Sequence, residues 1–237
     1  MCKYSRWGKW ATRDYNDFPR SGEEFNDDEV DFDLWLGHFV MSNETKNHYN
    51  CYHPANFQSR ALTSPFKGVH DGKRGLNPNM TRAMNTYNDL DFVALVEFTH
   101  ESQCMLYYRL GDKAPPAAVS YLSSSCHCEE QRKSQQKNKN APLHVQHHNK
   151  GKRTNLRDLP AATLSKVAQL TVADTSIYMT ALKNFMDEVA WLESDAALGR
   201  RVMCDEPLKK WETELAYLDD GRFNVTQLYQ DAIIRQH

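Results

Sequence analysis

The chain has 237 residues with a formal net charge of -2, and apolar residues make up 40% of it. That length fits one domain with extensions, and that charge excludes a uniformly basic nucleic-acid coat. Six cysteines are too few for a disulfide-scaffold miniprotein, and no apolar run reaches the roughly 20 residues of a membrane span.

Charge is unevenly placed. Residues 1–33 hold nine acids against five bases, whereas residues 131–157 hold eight bases and no acid. The second stretch is a local anion-attracting segment on a near-neutral protein. The opening "MCKYSRWGKW" has no apolar h-region behind it, so a signal peptide is not expected there. Three acceptor triplets, at Asn43, Asn79 and Asn224, permit a lumenal location.

In chain order, residues 1–34 read as an irregular segment, and "DFDLWLGHFV" (31–40) as one short amphipathic helix. "NCYHPANFQSRALTSP" reads as a loop leading into a helical turn. "MTRAMNTYNDL" fits a helix of about three turns capped by Asn79 or Thr81. "DFVALVEF" (91–98) is a short continuous apolar run, as expected of a strand buried on both faces of a parallel sheet. "THESQCMLYYRLGD" follows as a helix with Cys104, Met105, Leu106 and Tyr108 facing inward, Thr99 and Ser102 supplying N-cap chemistry, and Gly111 ending it.

Residues 111–158 form a long polar and basic loop, within which "EEQRKSQQKNKN" is low in complexity. "PAATLSKVAQLT" predicts a helix with Pro160 in its first turn and Leu164, Val167, Ala168 and Leu170 on one side. A second helix is predicted from about Asp174 to Leu192, with Asp174 as its cap and an apolar stripe from Ile177 through Phe185 to Leu192 read as core. "PLKKWETELAYL" predicts one more helix in a peripheral C-terminal segment, 196–237.

Several constellations offer chemistry. His144 and His148 have the i, i+4 spacing of helical zinc ligands, but helix signals and a nearby acid are missing and flanking cations repel a dication, so no metal site is assigned. Cys126 and Cys128 form a CxC without a second close pair. In an oxidising compartment each could pair with Cys51 or Cys204, and the alternative is free structural thiols. "NKGKRTN" (149–155) has the make-up of a loop that closes over phosphate or sulfate. Gly151 lets backbone amides turn toward an anion, Lys150, Lys152 and Arg153 supply charge, and Thr154 supplies a hydroxyl donor. The alternative is a solvated basic loop. "NFQSR" (56–60) gathers Asn56, Gln58 and Arg60, which could hold a polar or anionic sugar or tie their own loop together. Neither a Walker A loop nor a G-x-S-x-G elbow occurs.

The order of these segments resembles the C-terminal part of a Golgi-type carbohydrate sulfotransferase. The likeness is to the heparan and uronyl sulfotransferase family, and is nearest to algal and protist members. It is borne by "NFQSRAL", by "FVALVEF" with Glu97, by the basic "HHNKGK" loop leading into "LPAATL", and by Asp174, Tyr178, Ala181 and Phe185 at D-x-x-x-Y-x-x-A-x-x-x-F spacing. It covers roughly residues 35–195.

The resemblance implies transfer of a sulfuryl group from PAPS (3'-phosphoadenosine 5'-phosphosulfate) to a carbohydrate hydroxyl in the Golgi lumen, without a metal. It implies an α/β, P-loop-like domain, here incomplete and mostly helical with few sheet strands retained. By that likeness Lys150, Lys152, Arg153 and Thr154 bind the cofactor's phosphates, and Gln58 and Arg60 are candidates for structure or acceptor contact near the site. The family's 5'-phosphosulfate loop, 3'-phosphate segment and catalytic base have no match before residue 35, and no membrane anchor is present. The expectation is therefore a truncated catalytic domain with no assignable catalytic residue. The alternatives are a non-catalytic paralogue that binds an anionic ligand or glycan, and a nucleic-acid binder. The last is disfavoured because no Phe, Tyr or Trp interleaves the bases in residues 129–157.

Overall fold

The computed structural model describes residues 55–63, 76–117, 125–128, 159–194, 201–215 and 224–236. Seven α-helices lie among them: α1 (Phe57–Thr63), α2 (Met80–Asn88), α3 (Thr99–Leu110), α4 (Ala161–Leu170), α5 (Val172–Ser194), α6 (Asp205–Leu215) and α7 (Val225–Gln236). The described part is mostly helical, and no β-strand occurs in it. The predicted helix at 31–40 and the basic stretch 131–157 fall outside the described residues, whereas the start of the predicted loop, Gly111–Lys113, is a single 3-10 turn.

The chain forms two compact units. One comprises 1–89 and 151–177, the other 90–150 and 178–237.

In the first unit α1 packs on α2. Asn79 is the N-cap of α2, its side chain accepting the Arg82 N–H at 3.0 Å, which satisfies one of the amides a helix start leaves open. Ala55, Leu76, Ala83, Tyr87, Leu170, Ala173 and Ile177 are buried around these elements. In α4 the inward residues are Thr163 and Leu170. Of the predicted stripe, only Leu170 is fully buried, Leu164 and Val167 are half-buried, and Ala168 is exposed. Pro160 sits one position earlier than predicted, as the N-cap, where its carbonyl accepts from Leu164 N–H at 3.1 Å.

In the second unit the strand predicted at 91–98 is absent. Residues 92–95 are irregular and 96–98 turn into α3. The physical reason is how this backbone is satisfied. Leu95 N–H donates to Ser102 Oγ at 3.0 Å, and Phe98 N–H donates to Leu95 C=O at 3.1 Å. Local partners take groups that a sheet ladder would need. Nor is the run buried on two faces. Leu95 and Phe98 are inside, but Val96 is 78% exposed. The α/β architecture is thus not seen among the described residues.

α3 turns Glu101, Ser102, Cys104 and Met105 inward, while Leu106, predicted to face the core, is exposed and Tyr108 is half-buried. Gly111 ends α3 at φ 49° and ψ -125°, a backbone region costly for any residue with a Cβ, and the predicted stop is met. α5 buries Ala181, Leu182, Phe185, Met186, Val189, Ala190 and Leu192. The Phe185 ring stacks on Phe98 with centroids 5.5 Å apart.

Two disulfides fasten this unit. Cys104 pairs with Cys126, and Cys128 pairs with Cys204. The second pairing is among those expected. For Cys126 the partner is Cys104, whose place on the buried face of α3 brings it there, and neither Cys51 nor Cys204. The predicted peripheral tail contributes core: Leu208 of α6 and Val225, Tyr229 and Ala232 of α7 are buried, and the two helices pack together.

Replacing Phe185 with alanine removes a buried ring and leaves a cavity against Phe98. The expected loss is about 3–5 kcal/mol, read as a lower denaturant midpoint in chemical unfolding.

Candidate functional site

The first unit centres on Asn56, the residue before α1. Its φ is 47°, in the left-handed region, where asparagine is among the few side chains found often. It is fully buried, and its polar groups are used. Its N–H donates to Leu170 C=O at 2.7 Å, its Nδ2 donates to Leu76 C=O at 2.9 Å, and its Oδ1 accepts from Ala173 N–H at 2.8 Å. Its C=O accepts from Arg60 N–H at 2.9 Å. One amide side chain thus joins the start of α1, the approach to α2 and the α4–α5 junction.

Asp174 completes this arrangement from α5. Its carboxylate accepts Gln58 N–H at 3.2 Å, Ser59 N–H at 2.7 Å and the Ser59 hydroxyl at 2.5 Å. The sequence suggested Asp174 as the cap of its own helix. Instead it lies within the first turn of α5 and caps α1, 115 residues away from Ser59. A carboxylate at a helix N-terminus meets open N–H groups and the positive end of the dipole, so the placement is favourable.

The two expected acceptor residues differ. Gln58 is exposed, whereas Arg60 is 4% exposed in the last turn of α1. Two positions apart on a helix, their side chains leave on different faces. The structure therefore does not join them in one open subsite. A buried guanidinium needs a compensating partner, which suits Arg60 to holding α1 in place. The four phosphate-loop candidates, Lys150, Lys152, Arg153 and Thr154, lie outside the described residues, as do His144, His147 and His148.

The second unit holds both half-buried and buried titratable groups. Burial raises the Tyr178 phenol, and the negative charge of Glu97 raises it further. Burial lowers His100, while a hydrogen bond to the Ser125 carbonyl at 3.0 Å acts in the opposite direction. The same His100 ring nitrogen lies 3.7 Å from Cys104 Sγ. Glu193, near the C-terminal end of α5, accepts Val202 N–H at 2.6 Å, Met203 N–H at 2.7 Å and the Tyr229 hydroxyl. Burial raises Glu193 and those three donors oppose it. Arg201 lies over the Tyr229 ring at 5.7 Å. This is a satisfied structural network, with its donors turned inward. Sequence reasoning missed Glu193 and Glu101, because nothing in the pattern of a helix marks which acid will be enclosed.

Glu101 is 3% exposed, and burial pushes its carboxyl up to about 7, its own backbone amide acting in the opposite sense. A pKa near neutrality suits a general base, but an enclosed carboxyl cannot reach an acceptor hydroxyl. No catalytic base is assigned. Among the described residues no group of three His, Cys, Asp or Glu side chains is arranged to hold a metal, and no helix is long and apolar enough to cross a membrane.

Comparison with protein-family profiles, with curated proteins and with solved structures gives no match.

Two outcomes are expected. Asp174→Ala removes the α1 cap and costs about 1–2 kcal/mol in chemical denaturation, with faster hydrogen exchange at the Gln58 and Ser59 amides. Asp174→Asn, which keeps one acceptor, loses less. For Glu101, the folded pKa of about 7 lies above the ordinary 4.5, so the folded chain binds this proton more tightly. The group's contribution to stability is greatest below 4.5 and declines as pH rises from there to about 7. Glu101→Gln therefore gains stability over the native chain across that window, on the order of 2–3 kcal/mol, measured as the difference in unfolding free energy with pH.

Proposed function

We propose that this chain acts in sulfuryl transfer from PAPS to a carbohydrate hydroxyl, as a protein of the Golgi carbohydrate sulfotransferase type. One observation carries the reading. Three residues of the α5 motif each meet another segment on which the likeness rests. Asp174 accepts from Gln58 and Ser59 of "NFQSRAL", the Tyr178 phenol feels the charge of Glu97 in "FVALVEF", and Phe185 stacks on Phe98, the last residue of that same segment. Motif residues spread over more than a hundred positions work as packing partners within their own units, as parts of one ancestral scaffold would. The two disulfides support a lumenal, oxidising location for the same protein. The parallel sheet of the family and its P-loop-like α/β layout belong to the proposal.

In this reaction the acceptor oxygen attacks sulfur and its proton leaves to a base. The bond from sulfur to the bridging oxygen of the 5'-phosphate breaks, and cations stabilise the charge that develops on the departing phosphate. Lys150, Lys152 and Arg153 are the residues proposed for that stabilisation, with Thr154 donating to a phosphate oxygen. Asn56 and Asp174 hold α1, and with it Gln58, at the acceptor side.

The test is a calorimetric titration with PAP, the desulfated product nucleotide, joined to a transfer assay from PAPS onto a panel of polysaccharides. Saturable PAP binding is expected, and Lys152→Ala or Arg153→Ala should each weaken it by roughly 10-fold or more, the worth of a charge-assisted hydrogen bond. No PAP binding overturns the reading. If PAP fails to bind while an anionic polysaccharide binds, and the same substitutions abolish that binding, the chain is a non-catalytic glycan-binding paralogue.

A further inference from the structure

Asn79 and Asn224 occupy the same structural position in two helices. Each is exposed and precedes the first residue of its helix, α2 or α7. Each uses its side-chain carbonyl as the cap: Asn79 Oδ1 accepts Arg82 N–H at 3.0 Å, and Asn224 Oδ1 accepts Gln227 N–H at 2.8 Å. Each also opens an Asn-X-Thr triplet without proline in the middle, Asn79-Met80-Thr81 and Asn224-Val225-Thr226. The cap occupies only the carbonyl half of the amide. Among the described residues no protein group takes Nδ2 of either side chain. Asn56 is the counter-example, since it is buried, its Nδ2 donates to Leu76 C=O, and Phe57 and Gln58 after it make no triplet.

We propose that Asn79 and Asn224 are N-glycosylation sites whose glycans project from helix starts without disturbing the caps. The donor is an oligosaccharide carried on a polyprenyl diphosphate. Asn Nδ2 attacks the anomeric carbon, and the new N–C bond forms as the bond from that carbon to the diphosphate oxygen breaks. The electron pair leaves with the polyprenyl diphosphate, and one Nδ2 proton passes to base. The linked amide keeps its Oδ1, so the bonds to Arg82 and Gln227 persist. The disulfides Cys104–Cys126 and Cys128–Cys204 point to the compartment where such donors act. Nothing in this inference depends on the transferase reading.

The full chain is expressed behind a secretory signal in eukaryotic cells. The secreted, disulfide-bonded fraction is deglycosylated enzymatically in oxygen-18 water, which marks each occupied asparagine as labelled aspartate. Label at both Asn79 and Asn224 is the expected result. Asn79→Asp and Asn224→Asp should each remove one glycan's worth of gel mobility shift. In protein made without glycans in the bacterial periplasm, the same variants should leave the thermal midpoint of the native chain unchanged, because aspartate caps as well as asparagine. If either asparagine is unlabelled in the secreted protein, or is occupied only in aggregated material retained in the cell, the proposal fails. A midpoint that drops in the aspartate variants made without glycans overturns the claim that the cap uses only the carbonyl half of the amide and leaves Nδ2 for the glycan.

Discussion

The second unit depends on covering α5. That helix has buried residues at 181, 182, 185, 186, 189, 190 and 192, a wide apolar face that no single neighbour could cover. Phe98 closes on Phe185 from the turn ahead of α3. At the far end, the half-buried Glu193 carboxylate accepts from the Tyr229 hydroxyl and from the amides of Val202 and Met203. Enclosing an acid is costly unless donors surround it, and here three do. The disulfide from Cys128 to Cys204 then fixes the segment that supplies those amides, next to the residues that receive them. Burial, donor placement and covalent closure therefore reinforce one another.

The first unit uses a different device. Its key residues are polar, and they act through backbone groups. Asn56 adopts a left-handed conformation and uses both halves of its amide, and Asp174 reaches across to the amides of Gln58 and Ser59. Aspartate at position 56 would lose the donor to Leu76 C=O. Alanine would lose both bonds and would be strained at that φ. The "NFQSR" segment is therefore specified by its bonding more than by its propensity. The same wiring separates exposed Gln58 from buried Arg60, which the sequence alone had grouped as partners.

Where sequence reasoning succeeded, it did so through local rules. Asn79 caps α2 and Gly111 stops α3, because both depend on backbone geometry within a few residues. The stripe of α5 is a matter of 3.6-residue spacing, and the expected positions Ile177, Phe185 and Leu192 along it are all buried. Where it failed, a distant partner decided the outcome. The apolar run 91–98 looked like a buried strand, but a strand needs a ladder, and the Ser102 hydroxyl and the turn at Phe98 took the backbone groups first. Asp174 looked like a cap for the nearest helix and serves a remote one. The pairing of Cys126 with Cys104 required knowing that one face of α3 lies against the CxC segment.

The sequence by itself determined most of the helices, the Asn79 cap and the Gly111 stop, the anion-attracting character of residues 131–157 and the chemical candidates for a phosphate loop, whereas α7 was not read from it. Those properties follow from side-chain type, spacing and charge, and need no neighbour. Only the tertiary structure decided which acids are enclosed, which cysteines meet, which face of α3 turns inward and which way Gln58 and Arg60 point. Each of those depends on what another part of the chain places within a few ångströms. Hydrogen bonds, disulfides and desolvation act over that distance, whatever the separation in sequence.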